Sequence, residues 1–579
     1  MNNHPLRPTN SLVGPMLTDL YQITMERGRG VDFGELGRVY AYWKVGRHDD
    51  HAVFDLFFRK NPFHGEYTVF AGLEEALAMI NTFKFTESDI DYLRTVLPNA
   101  EPGFFDYLAA VDCSSIKVYA LKEGTIVFPR IPLVRVEGSL AVGQLLETPL
   151  LNLLNFASLV TTNATRFKRA AGADKSLLEF GLRRAQGPDG GLSASRYSYM
   201  AGFAGTSNVL GGKLHNIPIK GTHAHAFVQA HTTLNDLKNT TLDGKDLLQI
   251  AQKYRAELDF KQTNDGELAA FIAYALAFPD AFLALVDTYD TLMSGVPNFL
   301  CVALALHELG HKPVGIRLDS GDLSYLSKQV RAAFKATGER YGIEYFEHLN
   351  ITASNDINEA VLNSLNEQVR KRHPPPSNSA PPVESPVADI YAHNVHVPML
   401  FQRHEIDSYG IGTHLVTCQA QPALGMVYKL VEINGEPRIK LSQDVSKVTI
   451  PGRKEAFRLI GSNGKPLLDL MIGCSEKPPA VGQKLLCRNP FDELRRAYVT
   501  PSAVIPLHEL FWDGPNGGIV VSLPDLEQRR KYVSEQFELI REDVVRSLNP
   551  TPYKVSVSSE LYDFIHELWM KEFPVSELE

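Results

Sequence analysis

Three histidines fall within nine residues of the stretch IPIKGTHAHAFVQAH, residues 217–231, where a short apolar run ends in Gly-Thr and His223-Ala-His225 follows. Imidazole can bind a metal, move protons or attack as a nucleophile near neutral pH, so the companions of these rings decide among the three. A metal-dependent barrel hydrolase would use His223 and His225 as an H-x-H ligand pair and draw further histidines from later strand ends. Those strand ends instead carry Arg183, Asp287, Asp290, Arg317, Asp319 and the pair Gly412-Thr413. Arginines and glycine turns suit phosphate and carboxylate groups, and aspartates suit Mg²⁺ or a developing cation. The set reads as the site of an enzyme acting on a phosphorylated small molecule, with the metal-dependent hydrolase as its rival.

Two other strings imitate known sites. HELGH at 307–311 fits the H-E-x-x-H spacing of zinc proteases, in which both histidines share one helical face. Gly310 separates them and His311 opens the run KPVGIRL, so the expectation is an amphipathic helix ended by a glycine cap. GIGTHL at 410–415 begins like a dinucleotide fingerprint but lacks the third glycine. A phosphate cradle and a plain tight turn fit it equally.

Such residues need a frame that brings several strand ends together. Between about 176 and 415, apolar runs repeatedly end in polar clusters and give way to helical spacing: SLLEFGLRR, IPIKGTHAH, AFLALVDTYD, KPVGIRLDSGD, NITASND and EIDSYGIGT. Strand-loop-helix alternation implies parallel strands, and chemistry at every strand end implies an α/β barrel with its site on that face; an open doubly wound sheet is the competing architecture. Upstream, KVYALKEGTIVFP and PLVRVEG alternate as strands, and the helical spacing that follows stops at Gly172. With 579 residues, two or three domains are expected. The reading places an α/β region at 1–140, the barrel at 141–430, and a C-terminal region at 431–579 that ends in helix. Within the barrel, 366–402 contains KRHPPPSNSAPPVESP, whose proline and serine content predicts a disordered, exposed insertion.

Composition excludes several function classes. Hydrophobic residues make up 44% of the chain and charged residues 22%, the balance of a globular protein. A net charge of −9 argues against a broad surface for nucleic acid or anionic lipid, so any phosphate is gripped locally. The N-terminal stretch lacks a basic region followed by an apolar run, and no segment approaches the roughly 18 apolar residues of a membrane helix. Five scattered cysteines without a C-x-x-C pattern predict reduced thiols and a cytoplasmic protein.

The segments LTDLYQ, EFGLRRAQGPDGGLSASRYSYMAGFAGTSNVL, GTHAHAF, LVDTYDTLMSGVPN, GIRLDSGDL and YGIGTHLVT, in this order, resemble the nicotinate phosphoribosyltransferase family over most of the chain outside the insertion. The resemblance implies a type II phosphoribosyltransferase fold: an irregular β/α barrel, an α/β sandwich made from the N-terminal region with later chain, and a C-terminal extension. It implies a homodimer with shared active sites. It also implies condensation of nicotinate with 5-phosphoribosyl 1-diphosphate to nicotinate mononucleotide and diphosphate, driven by ATP through a phosphohistidine.

By the same resemblance, His225 is the phosphorylated histidine and Asp287 its orienting carboxylate. Tyr21 and Phe180 sandwich the pyridine ring, with Tyr21 coming from the partner protomer. Arg183 pairs with a carboxylate or phosphate, Arg317 and Asp319 contact the phosphoribosyl group and its Mg²⁺ or Mn²⁺, and Gly412 with Thr413 cradles the 5-phosphate. No role falls to His223 or His231. Nicotinamide phosphoribosyltransferase is the nearest rival. Where that relative has an aspartate for the substrate amide, this chain has Ser207, which spares a carboxylate substrate the repulsion and favours the acid.

Overall fold

A computed structural model describes residues 8–10, 13–19, 38–367 and 404–572. Tyr21 and all but the first two residues of the 366–402 segment lie outside these. The chain forms two compact units, one of Ala164–Gln419 and one of Met1–Asn163 together with Ala420–Glu579. The boundaries at 140 and 430 read from sequence differ from these. The helix Glu147–Ala171 runs unbroken through residue 163, so no glycine or proline signals the change of unit.

The unit Ala164–Gln419 is built on a parallel sheet of six short strands: β1 (Ser176–Glu179), β2 (Gly205–Thr206), β3 (Leu283–Leu285), β4 (Gly315–Leu318), β5 (Asn350–Ala353) and β6 (Ser408–Ile411). Their spatial order is β3-β4-β5-β6-β1-β2. Helices follow the strands, among them Gly187–Met200, Val296–Glu308, Leu323–Tyr341 and Glu359–Glu367. Their ends obey ordinary capping chemistry: the Asp322 side chain accepts the Tyr325 N–H, and Gly342 ends the same helix in the left-handed region at φ 68°. Register levels the strand ends, with Leu285 opposite Arg317, Arg317 opposite Thr352, Ile411 opposite Glu179 and Glu179 opposite Thr206. Because parallel strands share a direction, the residues that follow them emerge at one mouth.

The run IPIK, expected as a strand, contributes only an isolated bridge between Ile219 and Thr206. Pro218 has no N–H to donate to a ladder. Its carbonyl accepts the Thr206 N–H at 3.1 Å, and the Lys220 N–H reaches the Thr206 carbonyl at 2.9 Å. The expected place is taken by β2, where Gly205 permits the approach: a Cβ there would lie 2.5 Å from the Pro218 oxygen. On the other side, the Leu285 N–H donates to His223 Nε2 at 3.1 Å. Residues 217–223 therefore bridge the two edge strands, giving a parallel half-barrel closed irregularly rather than an open doubly wound sheet.

The HELGH histidines do not share a face. His307 Nδ1 lies 3.1 Å from the Tyr345 hydroxyl, whereas His311 sits between Asp280 at 3.1 Å and Asp243 at 2.9 Å, beyond Gly310 at φ 90°. Burial pushes the His311 imidazole down, but hydrogen bonds to Asp243 and Asp280 outweigh it and hold the group above its ordinary value. A raised folded-state pKa stabilises fully below the unfolded value near 6.5, and that contribution is lost as pH rises through the folded value. The melting-temperature gap between the parent chain and His311→Gln is therefore expected to narrow between pH 6 and pH 8.5. A gap independent of pH would refute the charged clamp.

The other unit draws strands from both ends of the chain. Its seven-stranded antiparallel sheet runs Glu436–Pro437, Met426–Ile433, His51–Phe58, Val134–Ser139, Ile116–Ala120, Glu509–Asp513 and Gly518–Ile519. The strand HAVFDLFF is buried from its second residue onward, which forces Asp55 inside. A buried carboxylate alone would cost several kcal/mol. It is paired with buried Lys454, and beside it Arg135 pairs with Glu137 at 2.6 Å. A second, six-stranded sheet spans Lys454–Val557 and packs a core that includes Phe457, Leu459, Leu468 and Leu470. Among the described residues no helix is long and apolar enough to cross a membrane.

Candidate active site

The mouth of the half-barrel holds a cavity of about 700 Å³ lined by Phe180, Arg183, Arg184, Ser207, Arg317, Asp319, Ser354, Gly412 and Thr413, among others. Phe180 directly follows β1, and its N–H donates to the Ile411 carbonyl at 2.8 Å. Its ring lies on Gly410, where a Cβ would come within 2.4 Å of the ring edge. A Cβ on Gly181 would meet Val416 at 2.3 Å. These glycines serve close approach between the 180–184 and 410–416 turns. Arg183 and Arg184 follow on a single helical turn, Leu182–Arg184, with exposed side chains and no carboxylate partner among the described residues. Arg183 is thus no interior salt bridge.

His225 opens the short helix His225–Gln229. Its Nδ1 lies 3.1 Å from the Thr288 hydroxyl, and its Nε2 lies 3.8 Å from both Asp287 Oδ1 and Asp319 Oδ2, with 40% of the side chain exposed. Asp287 is anchored from below, its Oδ2 accepting the Asp319 N–H at 3.1 Å and the Ser320 hydroxyl at 2.5 Å. Its buried Oδ1 has no hydrogen-bond partner among the described residues and faces the imidazole. Asp319 is held by the Ser354 hydroxyl at 2.7 Å and approached by Arg317 at 3.4 Å. Arg317 also donates to Thr222 at 2.6 Å.

His223 contributes to the cavity lining but is buried. Its ring packs among Phe227, Phe271 and Tyr274, and its Nε2 is taken by the Leu285 N–H. Burial pushes its pKa down to about 4, and nearby Arg317 adds to the effect. The two rings of the H-x-H string have separate partners, one neutral and packed among aromatic rings, the other facing Asp287 and Asp319. The metal-pair reading loses its ligand pair. His231 is local, with Nδ1 3.0 Å from the Phe227 carbonyl.

Several contributors escaped the sequence reading. Glu179 is buried beneath the turn, accepting the Gly181 N–H, the Ser195 hydroxyl at 2.9 Å and the Thr206 hydroxyl at 2.5 Å. Its carbonyl takes the Ser207 N–H at 3.0 Å, so one residue sets both the arginine turn and the Ser207 position. The alternation in SLLE held a signal, because Glu179 shares the buried face with Leu177. Arg184, Ser354 and Asn355 also line the cavity.

Comparison with known proteins agrees with this fold. Family models described as the nicotinate phosphoribosyltransferase N-terminal and C-terminal domains match residues 30–155 and 453–565. The chain is 51% identical to nicotinate phosphoribosyltransferase 1 of Arabidopsis thaliana, over 99% of this chain and 96% of that one. The crystal structure of human nicotinic acid phosphoribosyltransferase superposes with a TM-score of 0.79 at 38% identity, covering 95% of this chain and 99% of that one. At 20% identity, the fold alone is shared with the nicotinate-nucleotide pyrophosphorylase of Pyrococcus furiosus, at a TM-score of 0.54 over 90% and 95% of the two chains. Half-barrel and site together define the class, the type II phosphoribosyltransferases. Within it, the chain belongs to the nicotinate phosphoribosyltransferase family.

Proposed function

We propose that the chain condenses nicotinate with 5-phosphoribosyl 1-diphosphate to nicotinate mononucleotide and diphosphate, in NAD synthesis from nicotinate, and couples this to ATP hydrolysis through His225. The observation that carries the reading is the setting of that ring, one nitrogen facing two carboxylates, one of which, Asp319, lines the cavity, and the other nitrogen meeting the Thr288 hydroxyl. Carboxylates facing Nε2 favour the tautomer with its proton there, so Nδ1 accepts the Thr288 hydroxyl until it exchanges that partner for phosphorus and its lone pair attacks. That lone pair attacks the γ-phosphorus of ATP, the bond to the departing ADP oxygen breaks, and water later removes the phosphoryl group.

In the transfer itself, the pyridine nitrogen of nicotinate attacks C1 of the ribose as the bond to diphosphate breaks. Phe180 supplies one stacking face and Tyr21 of a partner protomer the other. Arg183 pairs with the substrate carboxylate. Arg317 and Asp319 hold the phosphoribosyl group, and Gly412 with Thr413 receives the 5-phosphate. Asp319 offers a partly exposed carboxylate among oxygen donors, a set that fits a hard cation, so it would hold Mg²⁺ or Mn²⁺ with water and substrate phosphates. When bound, the ion offsets charge on the departing diphosphate. The carboxylate itself stabilises positive charge developing at C1.

A charge-assisted hydrogen bond is worth about 1.5–3 kcal/mol, so Arg183→Ala is expected to raise the nicotinate KM roughly ten- to a hundredfold with a smaller change in kcat. An unchanged KM would remove Arg183 from the nicotinate site. A homodimer fits the exposed apolar residues Val209, Leu210, Leu214 and Ile219, which a second copy would cover. Sedimentation equilibrium should return twice the chain mass, and a monomer active at the same concentration would refute the shared site. Five free cysteines, four of them buried, suit the cytoplasm.

The deciding assay supplies 5-phosphoribosyl 1-diphosphate and Mg²⁺ with nicotinate or nicotinamide, each with and without ATP. The expected result is nicotinate mononucleotide, formed faster with ATP. No product from either base would overturn the reading.

A further inference from the structure

Beneath Asp287 and Thr288 lies a carboxyl group with no part in the steps above. Glu267, in the helix Asp265–Ala277, is fully buried. Its Oε2 accepts the Ser294 hydroxyl at 2.5 Å and the Asn298 amide at 3.1 Å, while Oε1 has no hydrogen-bond partner among the described residues. Ser294 belongs to a π turn, Thr291–Gly295, that begins directly after Asp287-Thr288-Tyr289-Asp290. The Ser294 Oγ also accepts the Asn264 N–H at 3.0 Å, and Asn298 donates to the Asn264 carbonyl at 3.0 Å. One carboxyl group thus joins the start of its own helix, the π turn and the helix Val296–Glu308.

The turn is coupled to the strand end. Asp290 caps it, with Oδ1 accepting the N–H groups of Leu292 and Met293 at 3.0 and 2.7 Å. Gly295 lies against Val286 so closely that a Cβ would fall 1.9 Å from the Val286 carbonyl oxygen. The Glu267 helix also supports the opposite side of the site: Phe271 and Tyr274 pack on His223, and Gly266 abuts the His231 backbone. It therefore touches both segments that meet at the His225 ring.

We infer that Glu267 is a positioning residue for phosphorylation of His225: through Ser294 and the π turn it fixes Asp287 and Thr288 against the imidazole, governing the ATP-coupled step far more than phosphoribosyl transfer, which Asp287 reaches only through the Asp319 backbone N–H. This rests on the phosphohistidine reading. Isolated π turns are uncommon, are enriched at functional sites, and persist where their surroundings hold them. An apolar side chain would fill a purely structural position without the cost of desolvating a carboxyl group. Burial pushes Glu267 up to about 7 against the pull of Ser294 and Asn298, so much of the population is neutral at ordinary pH and a glutamine can imitate it.

The test compares Glu267→Ala, Glu267→Gln and Ser294→Ala for ATP-independent transfer, ATP stimulation and acid-labile phosphate from γ-labelled ATP. Small displacements of a reacting group cost up to about a hundredfold in rate. Glu267→Ala and Ser294→Ala are expected to lose roughly tenfold or more in ATP stimulation and in phosphate labelling, with ATP-independent transfer within about twofold of the parent. Glu267→Gln should recover most of both. If Glu267→Ala does not fold, Ser294→Ala, which keeps the carboxyl and cuts its link to the turn, decides the matter. Unchanged ATP stimulation in Ser294→Ala, or a parallel loss of both activities in it, would overturn the assignment. His225→Ala is run beside them: if it retains ATP stimulation, the phosphohistidine reading itself fails and the assignment falls with it. Selective loss in His225→Ala with normal coupling in the Glu267 variants overturns the assignment alone.

Discussion

His225→Ala should form nicotinate mononucleotide at one slow rate whether or not ATP is present, and should take up no acid-labile phosphate from γ-labelled ATP. In the proposed mechanism the imidazole accepts the phosphoryl group, and it faces Asp287 and Asp319 at 3.8 Å. Removing it leaves Phe180, Arg183 and the Gly412-Thr413 turn in place, so the substrates still meet. What disappears is the stimulation, and single nucleophile deletions can cost many orders of magnitude in the step they serve. ATP stimulation equal to that of the parent enzyme would refute the phosphohistidine role.

Ser207→Asp should reverse the choice between nicotinate and nicotinamide. Ser207 lines the cavity with Phe180 and Arg183, its N–H held by the Glu179 carbonyl at 3.0 Å. A carboxylate about 4 Å from that of nicotinate is repelled by roughly 4 kcal/mol at an effective dielectric near 20, which corresponds to about a thousandfold in kcat/KM. Nicotinamide carries no such charge and can donate its amide to the new oxygen. Measuring kcat/KM for both bases decides the matter: a ratio within about threefold of the parent would mean that residue 207 does not read the carboxyl group.

How far these residues could be read from sequence depended on whether their chemistry was local. SLLEFG, AFLALVD, KPVGIRLD, NITASND and EIDSYG each became a strand with its polar residues at the mouth, because apolar alternation and a following polar cluster are encoded within a few positions. IPIK failed because Pro218 cannot donate to a ladder, and β2 went unseen because AGFAGT is too small and too short to look like a strand. Among site residues, His225, Asp287 and Asp319 do sit together, yet their roles came from a resemblance and not from spacing. The alternation in SLLE signalled that Glu179 is buried but not what it holds, because its partners, Ser195 and Thr206, are brought to it only by the fold. The π turn after Asp290 has no sequence pattern of its own; a buried carboxyl from another helix holds it.

The sandwich unit is interrupted by the whole barrel, and that has a consequence for biosynthesis. Ala52 pairs with Ile433, and Phe58 with Met426, so the strand His51–Phe58 emerges from the ribosome roughly 380 residues before its neighbour does. At about 5–20 residues per second, that wait is on the order of 20 to 80 s. Throughout it, an almost wholly apolar strand has one edge unpaired, the condition that favours aggregation in nascent chains. The barrel, contiguous from Ala164 to Gln419, can complete its core first. Slow, concentration-sensitive refolding of the full chain and dependence on chaperones during expression follow from this topology.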